Sequence, residues 1–453
     1  MTSYLKPKDM NLFLDKVYSH VKTNTKTTAK NQRDLILFIG RVYGYMLESI
    51  TAYEKKHKRK FRVGVIYDPK QGLPGNTKRI LDQLDVIETC DPRSETSIHK
   101  ALKEHKESLF SVVVRGDDGI PMQKRMIPHI PYMPSPTAAS LKWATEKISM
   151  RERLRDYNTD LTPSFMVVHE VNPKILRQIE EKVSFPLIVK PSGLGASRLV
   201  SICYHKEELD TVLKKCFKTI KAVYKETQGR GEPEVLVEAY MEGSMYSIDG
   251  YVDAKGRISF CPAVYVKTGK EVGFDDFFGY RQMSPTILKK DNIERLEATA
   301  AQSVHALGLR STSVHIELIR SEHGWKIVEL APRVGGFRHQ MHKHTHGIDH
   351  TMNDILIRAG EKPIIPKKLK GYAVAMKFFA KKEGKLKRIV GIKKIKELKS
   401  LKKLIVNKQA GDSCKFAKHG GSSVFNIIMS NADRSKLLAD IRRLEQTIDI
   451  QTK

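Results

Sequence analysis

Residues 311–336 read STSVHIELIRSEHGWKIVELAPRVGG, two strands joined by a turn. Successive side chains of a strand point to opposite faces. Glu317 and Glu329 each stand between apolar neighbours, Ile316 and Leu318 for the first, Val328 and Leu330 for the second. An antiparallel pairing can therefore bring both carboxylates to one sheet face. Two hard oxygen donors on one face suit Mg²⁺, which keeps several waters and completes its shell with phosphate oxygens. Arg333 lies four residues beyond Glu329, on the turn that ends the strand. A fixed guanidinium there can hold a carboxylate, or the acyl phosphate formed from it, by paired hydrogen bonds. Gly335 and Gly336 let the backbone approach closely. In isolation the same residues also describe two surface glutamates on a hairpin.

Upstream, FPLIVKPSGLGASRLVSI (185–202) reads as strand, glycine-bearing loop, strand. Lys190 emerges from the first strand, where its ammonium can neutralise nucleotide phosphates while loop N–H groups and Ser197 bond their oxygens. An ordinary hairpin has the same composition. Lys147, in the helical stretch ATEKISMRERL, can be a second phosphate-facing cation or a solvated helix lysine. Glu238-Ala239-Tyr240-Met241 ends the strand VLVEAYM (235–241), where backbone N–H and C=O groups can read an adenine edge at a hinge between lobes. Helices are expected over 206–224 and 291–307, with a strand over 246–260.

The first part of the chain alternates differently. A short amphipathic helix is expected at 8–22. LILFIG (35–40), FRVGVIYD (61–68) and FSVVVR (110–115) read as buried strands, the first two separated by a helical stretch, which implies a parallel sheet. Ligands sit beyond the strand C-termini in such sheets, so Gly40, Asp68 and residues 115–118 are candidate cleft residues. G-x-G-x-x-G is absent, which disfavours a dinucleotide. The proline cluster IPHIPYMPSP (127–136) marks a boundary, followed by a helical pair. From 370 onward short strands alternate with Lys-rich segments, and a final helix carries Leu437, Leu438, Ile441, Leu444 and Ile448 on one face, with Ser430 or Asn431 as its cap.

The order of these pieces is more specific than any one of them. A helix lysine, Lys190 before a small-residue loop, an E-x-Y hinge, Glu317 and ELAPRVGG together resemble the ATP-grasp superfamily, closest to carboxylate–amine ligases of the L-amino acid ligase type. The resemblance implies an α/β and α+β chain with a Rossmann-like N-terminal domain over 1–130. It implies a two-lobed ATP-grasp domain over 131–365, with a hinged subdomain at about 150–240, and a small α+β C-terminal domain over 366–453. Carried over, it implies that Lys147 and Lys190 contact ATP phosphates and that Glu238 and the backbone from Ala239 to Met241 hold adenine and ribose. Glu317 and Glu329 would hold Mg²⁺, with Mn²⁺ as a substitute, and Arg333 would orient an acyl phosphate. The implied reaction joins a small-molecule carboxylate to an amine, amino acids being candidates for both, and a homodimer is compatible with it. A carboxylase-type ligase with another acceptor is the alternative. Two positions depart from the family pattern. Ala331 replaces the amide of E-x-N-x-R, removing one metal ligand, and Met245 replaces a glutamate after the hinge.

Composition bounds the rest. The 453 residues suggest about three domain-sized units. Five scattered cysteines without CxxC argue against a disulfide scaffold or a cysteine zinc module. No N-terminal leader and no 18-residue apolar run is evident, so a cytoplasmic protein without a membrane span is expected. The net charge is +29, and residues 361–410 hold 17 Lys/Arg against 3 Asp/Glu. A nucleic-acid surface is the non-enzymatic reading of that segment. Its charges are nearly all lysine with little aromatic interleaving, which favours a solvated surface or anionic-substrate steering. FRHQMHKHTHGIDH (337–350) packs five of the 16 histidines into one stretch, read as substrate contacts or loop polarity ahead of a metal site. GFDDFFGYRQMSP (273–285) reads as a lid, an amine-recognition loop or an ordinary surface loop.

Overall fold

The computed structural model describes residues 33–195, 198–227 and 233–453. The expected helix at 8–22 lies outside the described residues. Strands β1 (Leu35–Ile39), β2 (Arg62–Tyr67), β3 (Val86–Thr89) and β4 (Leu109–Val114) form a parallel sheet in the order β3-β2-β1-β4. Each residue of β1 and β4 is buried, as a parallel strand covered on both faces requires. The sequence reading missed β3, whose VIET alternates half-buried and exposed residues at the sheet edge and lacks the apolar run of its neighbours. One face of this sheet packs on the helix His350–Arg358 from much later in the chain, through Met352, Ile355 and Leu356.

A second sheet, β5 (Phe165–Val168), β6 (Leu187–Pro191), β7 (Ser201–Cys203) and β8 (Val235–Ala239), is antiparallel in the order β5-β8-β6-β7. Helices Pro173–Lys182 and Lys206–Thr227 cover it around Leu176, Ile179, Leu209 and Leu213.

The third sheet is the frame of the molecule. It comprises β9 (Ser244–Val252), β10 (Ile258–Phe260), β11 (Val264–Thr268), β12 (Gly279–Ser284), β13 (Thr312–Ser321), β14 (Gly324–Ala331) and three strands from beyond residue 370. These are β15 (Tyr372–Phe378), β17 (Leu401–Val406) and β19 (Phe425–Asn431), which follow β12 in the order β15-β19-β17. The single strand read at 246–260 is a hairpin, because Asp253 accepts backbone N–H bonds from Lys255 and Arg257 and turns the chain. Helices Lys147–Tyr157 and Lys290–Ala306 press Met150, Leu154, Leu296 and Ala300 against Ile316, Leu318 and Ile327 on one face of this sheet. The opposite face is left for the intervening side chains.

A small sheet of β16 (Gly384–Val390), β18 (Ser413–Cys414) and β20 (Asp449–Thr452) closes the chain. The last helix, Arg434–Thr447, buries Leu437, Ile441 and Leu444 as its spacing predicts. Its cap is Asp433, whose carboxylate accepts from the N–H groups of Ser435 and Lys436, and not Ser430 or Asn431, which are still in β19. All five cysteines are buried and free. Among the described residues no helix is long and apolar enough to cross a membrane.

Candidate active site

The pairing of β13 with β14 sets Glu317 directly opposite Glu329. The register then shifts, with Leu318 opposite Ile327, so Val328 is an extra residue on β14. Such a bulge leaves backbone groups without cross-strand partners. The buried Arg151 supplies them: its Nη1 donates to the Ile327 carbonyl at 2.9 Å and its Nη2 to the Val328 carbonyl at 3.0 Å. The same guanidinium donates to Glu238 on β8, at 2.8 Å from Nε. Glu238 also pairs with Lys190 of β6. One arginine thus joins the second sheet to the third, and it sits one helical turn from Lys147, whose Nζ donates to the Leu194 carbonyl at 2.7 Å.

Burial pushes the Lys190 ammonium down to about 8, against the opposing pull of Glu238. Burial alone would raise the Glu238 carboxyl, but Arg151 and Lys190 hold it at about 2. Glu238 therefore faces Lys190 as its counter-ion. This differs from the sequence expectation that its side chain is given over to adenine or ribose. Ser197 lies outside the described residues.

Two cavities meet at the paired glutamates. A cleft of about 350 Å³ lies between the second and third sheets, lined by Lys147, Lys190, Glu238 to Met241, Glu317 and Glu329. A second cavity of about 740 Å³ holds Glu317 and Glu329 at one end and extends past Arg333, Arg338, Gln282 and Lys377. The two departures from the family pattern are both placed: Met245 lines both cavities and Ala331 the larger one. Arg333 grips Asp117, just beyond β4, through Nε at 2.8 Å and Nη2 at 3.0 Å. Of the cleft candidates beyond the parallel strands, Asp117 alone reaches these cavities; Asp68 is buried in its own turn, accepting from the Lys70 N–H.

Behind the glutamates a buried polar network fixes the backbone. Asp249 on β9 accepts from the Gly335 N–H at 2.8 Å and faces His315 at 3.2 Å and Arg338 at 3.3 Å. A Cβ on Gly335 would come within 2.5 Å of the His315 ring, so this position requires glycine, whereas Gly336 faces open space. Glu317 is held below the ordinary carboxyl range: burial opposes ionisation, but the bond from His315 and the charges of Arg338 and Arg333 outweigh it. Arg338 itself donates to Gln282 at 2.6 Å and to Ser247 at 2.7 Å.

The histidine stretch is not where the sequence reading put it. None of its five histidines lines either cavity. His339 stacks on Tyr45 at 4.1 Å, and His342 and His350 are buried against Asp249, where the Arg338 guanidinium already supplies a cation. The segment 273–285 is a wall and not a free flap. Asp275 and Asp276 both hold Lys418, and Phe277 lines both cavities. In the basic segment 361–410 every Lys and Arg is exposed except Lys377 and Lys408. Sequence reasoning missed Arg151, Arg338 and Asp249. The one signal available was the four-residue spacing of Lys147 and Arg151 on a helix.

Residues 183–341 match the family model of the ATP-grasp domain. This segment is an ATP-grasp domain. ATP-grasp domains use ATP with Mg²⁺. Among curated proteins, the chain is 26% identical over 216 residues to an uncharacterized protein of Sinorhizobium fredii, covering 47% of this chain and 42% of that one. It is 27% identical over 121 residues to the D-alanine–D-alanine ligase of Fervidobacterium nodosum, covering 26% of this chain and 34% of that one. The chain thus spans less than half the length of these two relatives. Among solved structures, the L-amino acid ligase from Bacillus licheniformis superposes with a TM-score of 0.71 at 17% identity, over 93% of this chain and all of that one. At that identity the likeness is one of fold, and it extends well beyond the ATP-grasp domain on both sides.

Proposed function

We propose that the chain is an ATP-dependent ligase that joins a carboxylate to an amine through an acyl phosphate and releases ADP and phosphate. The observation that carries this reading is the position of Glu317 and Glu329 at the junction of two cavities, one with three lysines (Lys147, Lys190 and Lys270) and a strand-end backbone, the other with arginines. A nucleotide fits the first and its acceptor the second, so the phosphoryl group would cross at the glutamates.

A carboxylate is a poor acyl donor because oxide would have to leave. Phosphorylation converts that oxygen into a leaving group, and an amine can then attack the carbonyl carbon. In this scheme the Ala239–Met241 backbone takes the adenine, and Lys147 and Lys190 balance the phosphate charge. Arg333 holds the carboxylate in line for attack on the γ-phosphorus. Two carboxylates in register, of which Glu317 alone is paired among the described residues, with His315 behind it, suit a hard divalent cation. Mg²⁺ held by Glu317 and Glu329, or Mn²⁺ in its place, would neutralise charge developing on the transferred group. The substrates are small molecules, amino acids first among those to try. Amino acid pairs offered with Mg·ATP should give ADP and phosphate, and hydroxylamine in place of the amine should give a hydroxamate. AMP and pyrophosphate as products would overturn the scheme.

A further inference from the structure

The larger cavity carries four cationic or potentially cationic groups, and three of them are already paired within the protein. Arg333 is forked onto Asp117, Arg338 is fixed by Ser247, Gln282 and Asp249, and His315 lies between Asp249 and Glu317. Among the described residues Lys377 has no hydrogen-bonded or ion-paired partner; its ammonium lies 5.8 Å from the Phe337 ring centroid, and the residue lines the cavity. Its strand fixes where it points. On β15, Ala373 and Ala375 pack under Met341 on one face of the third sheet, and Lys377 is the next residue on that face. Directly opposite it on β19 stands Asn426, which also lines the cavity.

An unpaired ammonium held in a half-buried site is costly unless an anion joins it. Every other lysine of the 361–410 segment except Lys408 is solvated, so Lys377 is set apart by place and not by composition. Arg333 enters from beyond β14 at one edge of the sheet, and Lys377 comes from β15, on the far side of β12 in the strand order. The two cations therefore address different parts of whatever fills the cavity. If Arg333 holds the carboxylate being activated, negative charge is wanted a second time, at the acceptor end.

We propose that Lys377 is a specificity determinant that binds an anionic group, carboxylate or phosphate, carried by the amine substrate. This assignment rests on the ligase reading above. Hydroxylamine, small and uncharged, needs no such contact, so hydroxamate formation from amino acid donors with Mg·ATP reports carboxylate activation alone. Glycine, aminomethylphosphonate and glycinamide then serve as amines with a carboxylate, a phosphonate and no anion. The wild type should show a KM for the preferred anionic amine at least about tenfold below that for glycinamide, as expected for one charge-assisted contact. K377M and K377Q should raise that KM about tenfold or more while hydroxamate and glycinamide rates stay within about twofold, and K377R should restore the preference. Glycine and aminomethylphosphonate separate the carboxylate from the phosphate source. Hydroxamate formed normally with no preference for anionic amines, or with a preference that K377M and K377Q leave intact, overturns the inference. Absence of hydroxamate from every donor would instead reject the ligase reading.

Discussion

Glu329 and Lys190 face the same cleft and should fail in different ways. Glu329 has no hydrogen-bonded partner of its own among the described residues and stands opposite a carboxylate that does. Glu329→Gln keeps the shape and removes the charge, so turnover should fall by about 10²-fold or more while ATP affinity changes far less, because the lost interaction is strongest with the transferring phosphoryl group. Steady-state kinetics beside equilibrium nucleotide binding distinguish the two effects. Lys190 titrates near 8, below its ordinary range, because it is buried. ATP affinity should therefore decline as pH rises through about 8, as the ammonium is lost from the free protein. Stability should not decline with it: the folded value lies below the unfolded one, so this group weakens the fold at lower pH and that penalty is relieved as pH rises from about 8 toward the ordinary lysine value. Lys190→Arg should flatten the affinity profile over pH 7–9.5, since guanidinium keeps its proton there. Glu238 works in the opposite direction, contributing stability above the ordinary carboxyl range that is lost as pH falls toward about 2.

At the level of elements, the bulge at Val328 and the helix Lys147–Tyr157 depend on each other. The bulge presents two carbonyls, and the helix brings the one side chain that satisfies them together with the Glu238 carboxylate. Arg151→Met removes a buried partner from Glu238 and strands both carbonyls, so it should cost about 3–5 kcal/mol in chemical denaturation. Glu238 would remain paired with Lys190, which puts the loss at the smaller end. The glutamate pair was legible in the sequence because a strand's two-residue alternation fixes which side chains share a face. Arg151 was not, because in MRERL it has the composition of a solvent-exposed helix, and its partners exist only once a register shift more than 170 residues away has formed. The strand β3 and the Asp433 cap escaped for the same kind of reason: an edge strand need not be apolar, and a cap is decided by where the preceding strand stops. Lys190 and the strand end Glu238–Met241, singled out by their order along the chain, line one cleft, while the pairing of the Glu238 side chain is set by Arg151, a helix residue not read with it.

For the whole molecule, the cleft has walls from two sheets bridged by Arg151, so a ligand binding both walls should stabilise the assembly. Mg·ATP at about 100 times its Kd should add about 2.7 kcal/mol to the unfolding free energy by mass action, read as a rise in Tm. EDTA should remove most of that rise, and Glu329→Gln should make the remainder insensitive to EDTA. Arg333 with Asp117, and Met352, Ile355 and Leu356 against β1, fasten the parallel sheet to the same frame. Its contribution to the cavity is then one carboxylate held at a fixed place and not a nucleotide site of its own.

The strands beyond residue 370 complete the third sheet instead of forming one apart from it, and this governs how the chain can be cut. A fragment ending after the helix His350–Arg358 would keep the two glutamates and both lysines but lose β15, β19 and β17. The row of N–H and C=O groups along β12, which β15 normally covers from Arg281 to Ser284, would then face solvent beside Tyr280 and Met283. An unprotected edge of this kind recruits the same edge on another copy. Such a fragment would self-associate into insoluble material while retaining the residues that line the smaller cleft, so poor recovery of a shortened chain would reflect a sheet left open and say nothing about catalysis.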